Sequence, residues 1–176
     1  FEYSDCWIED NKLVALNAFD AKNRGAKILT RTKVIEAKRV EGFWKIVVEN
    51  QLTREVEEHQ AKVLINAAGP WVTDIINTKL KLNSKDGIRL VRGSHIVVPK
   101  LYDHDKCYFF QGTDGRVIFS IPYEYDFTLI GTTDVDHDGI ETKPVCSDSE
   151  KDYLINFASK YFAKGISPKD VVWSYS

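Results

Sequence analysis

Methionine does not occur in this chain of 176 residues, cysteine occurs three times and proline five times, and no apolar run is long. Cys6, Cys107 and Cys146 are odd in number, far apart and without CxxC spacing. That fits reduced thiols in a cytosolic compartment better than a disulfide framework or a cysteine zinc site. The lack of anything approaching the roughly 20 apolar residues of a spanning helix removes that kind of membrane protein. Charge of one sign is also missing: 24 basic against 26 acidic residues leave −2, so bulk electrostatics recruits neither nucleic acid nor an anionic membrane. GxSxG, HExxH and P-loop patterns are absent, which removes the common hydrolase, metalloprotease and kinase readings, and no GxGxxG is present either. The opening FEYSDCW has no initiator Met, basic region or signal-like core. With Met absent throughout, this predicts an internal piece of a longer polypeptide.

What is present is a globular composition, 43% hydrophobic and 12% aromatic, enough to bury roughly two thirds of the unfolded surface. The aromatic, alternating residues 1–7 read as a strand. A helix over 11–23 follows, with Asp10 as N-cap, Leu13, Leu16 and Phe19 on an inner face, and Gly25 as its stop. Strands are predicted at 27–30, 34–39, 43–49 and 54–59, the last three as a meander with a Glu41-Gly42 turn. A short apolar strand over 63–66 runs into AAGPW and then a helical pattern of Val72, Ile75, Ile76 and Leu80, which is strand, tight turn, helix. Small residues at Ala67, Ala68 and Gly69 allow a ligand to approach the backbone, and a helix opening at Pro70 presents N–H groups to an anion such as a dinucleotide pyrophosphate. An ordinary strand-to-helix connection fits the same residues.

A polar linker over 81–87 leads to the strand that organises the remainder, IRLVRGSHIVVP over 88–99. Strand alternation puts Gly93 and His95 on one face. Two readings fit: a ligand lying over Gly93 with His95 reaching its edge, or a bulge with a structural, hydrogen-bonded histidine. Strands at 107–111, 116–121 and 127–131 predict an antiparallel sheet, and 171–175 one strand more. Ser147 and Glu150 form a capping box opening a helix whose inner face is Leu154, Phe157, Ala158, Tyr161 and Phe162. DVDHDG over 134–139 imitates the start of a calcium loop but puts Val145 where the bidentate Glu belongs, so it reads as a solvated acidic loop and no metal site is expected. His59, His104 and His137 occur singly and read as surface residues.

FEYSDCW, GAKILTRTKV, NAAGPWV, IRLVRGSHIVVP, IPYEYDFTLIGTTDV and DVVWSYS, in that order, resemble the middle region of the FAD-dependent glycerol-3-phosphate dehydrogenases, relatives of the D-amino-acid-oxidase group. NAAGPW alone marks the wider flavoprotein group, whereas RGSHIVVP followed by IGTTDV points to the glycerol-3-phosphate branch. The resemblance implies a mixed α+β fold: a partial FAD-binding layer over 7–81, and over 82–176, together with a strand from 1–6, an antiparallel-sheet substrate domain covered by helices. It implies FAD near Val34, Ala67, Ala68, Gly69 and Trp71. It further implies a substrate pocket at Gly93, His95, Thr132 and Thr133, with His95 as the catalytic base and the two threonines serving there or in turn and core hydrogen bonds.

Implied chemistry is the oxidation of sn-glycerol 3-phosphate to dihydroxyacetone phosphate, with electrons passed to quinone at the cytoplasmic face of a membrane. An oxidase handing electrons to oxygen and a non-catalytic binding module of the same fold are the alternatives. A homo-oligomer is also allowed, because exposed strand edges favour self-association. The family's glycine-rich flavin fingerprint, its phosphate-binding arginines and its later lysine-bearing segment find no counterpart in these residues. The isolated piece is therefore expected to be inactive and to hold flavin weakly or not at all.

Overall fold

A computed structural model describes residues 1–82, 84–85 and 87–176; the predicted linker over 81–87 includes Asn83 and Asp86, which lie outside the described residues. The chain divides into two compact units, one of residues 1–68 and 74–84, the other of 69–73 and 85–176. The architecture is mixed α+β, as expected, and its sheets are antiparallel.

In the first unit the expected strand over 1–7 is not formed, and residues 1–9 adopt no regular element. Alternation marks which side chains share a face, but a strand also needs a neighbour to take its N–H and C=O groups. The helix, Asp10–Asn23, starts one residue early: Glu9 is the N-cap, without a side-chain cap bond, and Asp10 is inside the first turn. Gly25 does stop it, at φ +96, with the Ala26 N–H reaching back to the Ala21 carbonyl. Its supposed inner face is exposed, however, with Leu16 at 64% and Phe19 at 63%, and the helix has no buried residue. Residues 27–30 and 63–66 do not form the strands expected of them, and Ile65 is 81% exposed.

The meander forms as predicted: β1 (Thr32–Val40), β2 (Phe43–Asn50) and β3 (Val56–Ala61) pair in that order. Glu41 and Gly42 both have positive φ, +50 and +86, the geometry that matches a two-residue hairpin to strand twist. Ala37, Ile46 and Val48 make its small core. The helix predicted after AAGPW is broken into a 3-10 turn at Gly69–Trp71, one α turn at Val72–Asp74 and a π turn at Ile75–Lys79. It therefore offers no regular row of N-terminal amides.

In the second unit the long strand over 88–99 is interrupted at Gly93 and Ser94, giving β4 (Val91–Arg92) and β5 (His95–Pro99). β6 (Tyr108–Gln111), β7 (Val117–Tyr123), β8 (Phe127–Gly131) and β10 (Trp173–Tyr175) complete a five-stranded sheet in the order β10-β5-β8-β7-β6. The acidic loop partly folds as well: β9 (Val135–Asp136) pairs with β4, and Arg89 bonds Asp136 at 2.7 Å. His104 is exposed, as expected, whereas His59 and His137 are half-buried.

A helix at Asp148–Ala158 carries the expected capping box of Ser147 and Glu150. It ends before Tyr161 and Phe162, which pack against Phe110 from the following turn. Its Leu154, Ile155, Phe157 and Ala158 cover one sheet face, where Ile96, Val98, Ile118 and Ile130 are fully buried. Leu154 joins helix to sheet, so Leu154→Ala is expected to cost about 2–5 kcal/mol by transfer plus cavity terms, read as a lower midpoint in urea unfolding.

Candidate active site

Strand alternation that buries Ile96 and Ile130 under the helix turns His95 and Gly131 to the opposite sheet face. His95 pairs directly with Gly131 on one side and with Tyr175 on the other. The imidazole lies over Gly131: a Cβ there would collide with His95 Cδ2 and stand 2.6 Å from Nε2. Tyr175 stacks on the other side, with ring centroids 4.9 Å apart and planes 5° from parallel. Nδ1 is buried without a hydrogen-bond partner. Burial pushes the ring's pKa below its ordinary 6.5, against a smaller opposing pull from the Gly93 carbonyl. The imidazole is therefore neutral at pH 7 and able to take up a proton.

Gly93 is small for a different reason from the one the spacing suggested. A side chain there would collide with Thr132 Oγ1 and lie 3.3 Å from the Thr133 carbonyl. The space over Gly93 thus belongs to Thr132, and the side-chain gap beside the imidazole is at Gly131. Gly93, Thr132 and Thr133 nonetheless line a common cleft of about 520 Å³ with Arg116 and Asp134.

Behind that cleft sits Glu150, which the sequence reading took for a helix cap alone. It is 4% exposed. Its carboxylate accepts from Ser94 Oγ at 2.7 Å, Thr133 Oγ1 at 2.8 Å, Ser147 Oγ at 2.7 Å and Arg92 Nη2 at 3.0 Å. Because a carboxylate only accepts, Ser94 spends its proton on Glu150, and Ser176 must donate across the 2.6 Å contact to Ser94. The Ser94 amide in turn donates to Thr133 Oγ1 at 2.8 Å. Burial alone would raise the Glu150 pKa, but the bonds from Arg92, Ser94 and Ser147 outweigh it and bring the group down from 4.5 to about 2. The break between β4 and β5 is thereby pinned one residue before His95.

Of the expected flavin contacts, Val34 sits in β1 against the small core of the meander. Ala67, Gly69 and Trp71 are exposed and Ala68 half-buried. Gly69 has φ +54, and nothing stands within 4 Å of where its Cβ would be. This open backbone, with small residues and an exposed indole, fits the approach of a flat dinucleotide. Sequence reasoning missed Gly131, Tyr175 and the Glu150 network. A second glycine ending a strand, in LIG, was the available signal for the first, and nothing local marked the others.

Glu150 has a lowered pKa, so its stabilisation is complete above pH 4.5 and is lost as the pH falls towards 2. Glu150→Gln is expected to cost about 3 kcal/mol at pH 7, from the size of the shift. The acid-labile component between pH 4.5 and 2 should disappear with it, as read by denaturant unfolding across that range.

A sequence profile described as FAD dependent oxidoreductase, DAO, matches residues 1–176. D-erythritol 1-phosphate dehydrogenase of Brucella abortus (strain 2308) is 46% identical over 176 residues, covering 100% of this chain and 35% of that protein. Aerobic glycerol-3-phosphate dehydrogenase of Escherichia coli (strain K12) is 42% identical over the same length, 100% of this chain and 35% of its own. The X-ray structure of glycerol-3-phosphate dehydrogenase from Bacillus halodurans complexed with FAD matches with a TM-score of 0.74 and 32% identity, over 89% of this chain and 32% of that one. The chain thus spans about a third of the length of these relatives. Matched along every residue and sharing more than two fifths of its sequence with whole-chain relatives, this chain belongs to the FAD-dependent oxidoreductase (DAO) family.

Proposed function

We propose that the full polypeptide containing this chain oxidises a polyol phosphate, sn-glycerol 3-phosphate, to dihydroxyacetone phosphate. The carrying observation is a neutral imidazole, His95, held on the open face of an antiparallel sheet in a chain whose relatives are named as dehydrogenases of such substrates. Bound FAD supplies a hydride acceptor. His95 takes the hydroxyl proton at the imidazole nitrogen facing the alcohol, because removing hydride from a carbinol carbon requires the oxygen to lose its proton. Thr132, Thr133 and Gly93 line the cleft of about 520 Å³, whose lining does not include His95. Thr133 Oγ1 is engaged by Glu150 and the Ser94 amide, which leaves the Thr132 hydroxyl to orient the substrate. Ala67, Ala68, Gly69 and Trp71 would hold the cofactor along exposed backbone, and Val34 would lie near its adenine. Residues 7–81 would serve as the cofactor layer, and 82–176 together with 1–6 as the substrate layer.

RGSHIVVP and IGTTDV resemble the glycerol-3-phosphate branch, which includes both quinone-linked dehydrogenases and oxidases. Quinone as acceptor and a position at the cytoplasmic membrane face rest on that family likeness, and self-association on exposed strand edges. Among the described residues no helix is long and apolar enough to cross a membrane. D-erythritol 1-phosphate is the second substrate to test, since the relative named for it is 46% identical across the whole chain.

The test is steady-state turnover of the full-length protein with each phosphate, coupled to quinone reduction or to peroxide formation. His95→Ala is expected to lower kcat by about 100-fold or more, and wild-type turnover in that variant would overturn the assignment. A ring whose pKa is lowered by burial loses its proton-accepting form only at acid pH. The acid limb of kcat/KM is accordingly expected below pH 6.5.

A further inference from the structure

We propose that Tyr175 is a positioning residue for His95: its ring and the side-chain-free Gly131 clamp the imidazole between them in one orientation on the open sheet face. The inference rests on the assignment of His95 as proton acceptor and goes beyond it by saying what aims the ring.

The pairing registers place Phe109, Phe119, Gly131, His95 and Tyr175 opposite one another across five strands. Directly paired residues of an antiparallel sheet share a face, so they form one transverse row on the side away from the helix. Four members carry rings and one carries none. The imidazole leans into the gap, with its Cδ2–Nε2 edge over Gly131. On the far side of the gap Phe119 meets Phe109 edge-to-face, with centroids 5.3 Å apart and planes at 78°. On the near side Tyr175 lies flat on the imidazole at 4.9 Å and is itself braced by Trp173, whose ring is 5.0 Å away.

A histidine on an exposed sheet face ordinarily samples more than one χ1 rotamer. Here one direction leads into the phenol ring and the other into a space that only glycine leaves open. The row contains no charged group, and its only other ionisable member is the Tyr175 hydroxyl; off the row, the Gly93 carbonyl also acts on the imidazole. Stacking on Tyr175 accordingly does two things: it fixes the direction of the ring, and it removes water from one of its faces.

The full-length protein tests this with Tyr175→Phe, Tyr175→Leu and Gly131→Ala, each alone and with His95→Ala. Tyr175→Phe keeps a flat ring and is expected to hold kcat within about threefold. Tyr175→Leu is expected to lower kcat about 10–100-fold through misorientation, with a smaller change in KM. It should also move the acid limb of kcat/KM to higher pH as water reaches the imidazole. Gly131→Ala attacks the clamp from its other side and should give the same signature, which keeps the test open if the Leu variant fails to fold.

In the His95→Ala background neither change should cost anything further, since both act through the missing ring. Wild-type kcat and pH profile in both Tyr175→Leu and Gly131→Ala would overturn the positioning role. So would an undiminished loss from Tyr175→Leu in the His95→Ala background, which would mean that Tyr175 acts on substrate directly. Full activity of His95→Ala alone would instead defeat the functional reading beneath it.

Discussion

One buried carboxylate ties the second unit together. Glu150 lies in the first turn of the covering helix, yet its partners come from Arg92 in β4, from Ser94 in the break before β5 and from Thr133 just past β8. Helix, interrupted strand and central hairpin therefore share one acceptor. A charge so enclosed is tolerated only because every direction around it is filled by a donor, and removing one partner leaves the others facing an uncompensated group. The geometry of the candidate site is downstream of this arrangement, since Ser94 is bonded both through its hydroxyl to Glu150 and through its amide to Thr133, and His95 is the next residue.

The five-stranded sheet then divides its two faces by role. The face under the helix buries Ile96, Val98, Ile118 and Ile130 against Leu154, with Ser120 and Thr128 buried among them. The other carries the row of rings, Gly131 and the one histidine of the sheet, beside Val97, Leu129 and Ile121. Period-two alternation makes these roles inseparable: the residues that give the strands their core are interleaved with those that face outward, so each stability-bearing isoleucine sets the direction of a neighbour at the site. The low proton affinity of His95 follows from this, because a side chain flanked by Tyr175 and packed on a glycine loses water whatever else binds there.

Much of this was legible beforehand. The meander, the strands expected at 107–111, 116–121 and 127–131, which form at 108–111, 117–123 and 127–131, and the capping box all follow from turn chemistry and short-range pattern. The segments that failed did so for one reason. Residues 1–7, 27–30 and 63–66 have strand composition, and Leu13, Leu16 and Phe19 have helical spacing, but composition and spacing report what a segment prefers and not whether anything lies against it. A bulge at Gly93 was one of two readings the sequence offered; what it did not show is that the space over Gly93 is taken by Thr132, 39 residues away in the chain.

By itself the sequence determined the local chemistry: where hairpins turn, where the capped helix opens, which residues alternate, and that a histidine stands in an apolar strand. Only the tertiary structure decided which glycine serves that histidine, because the answer depends on strand register, and register is set by pairing between residues far apart in the chain. It also turned Glu150 from a helix cap into the hub of a buried network, since the Arg92, Ser94 and Thr133 donors converge on it only after the sheet and the helix have packed.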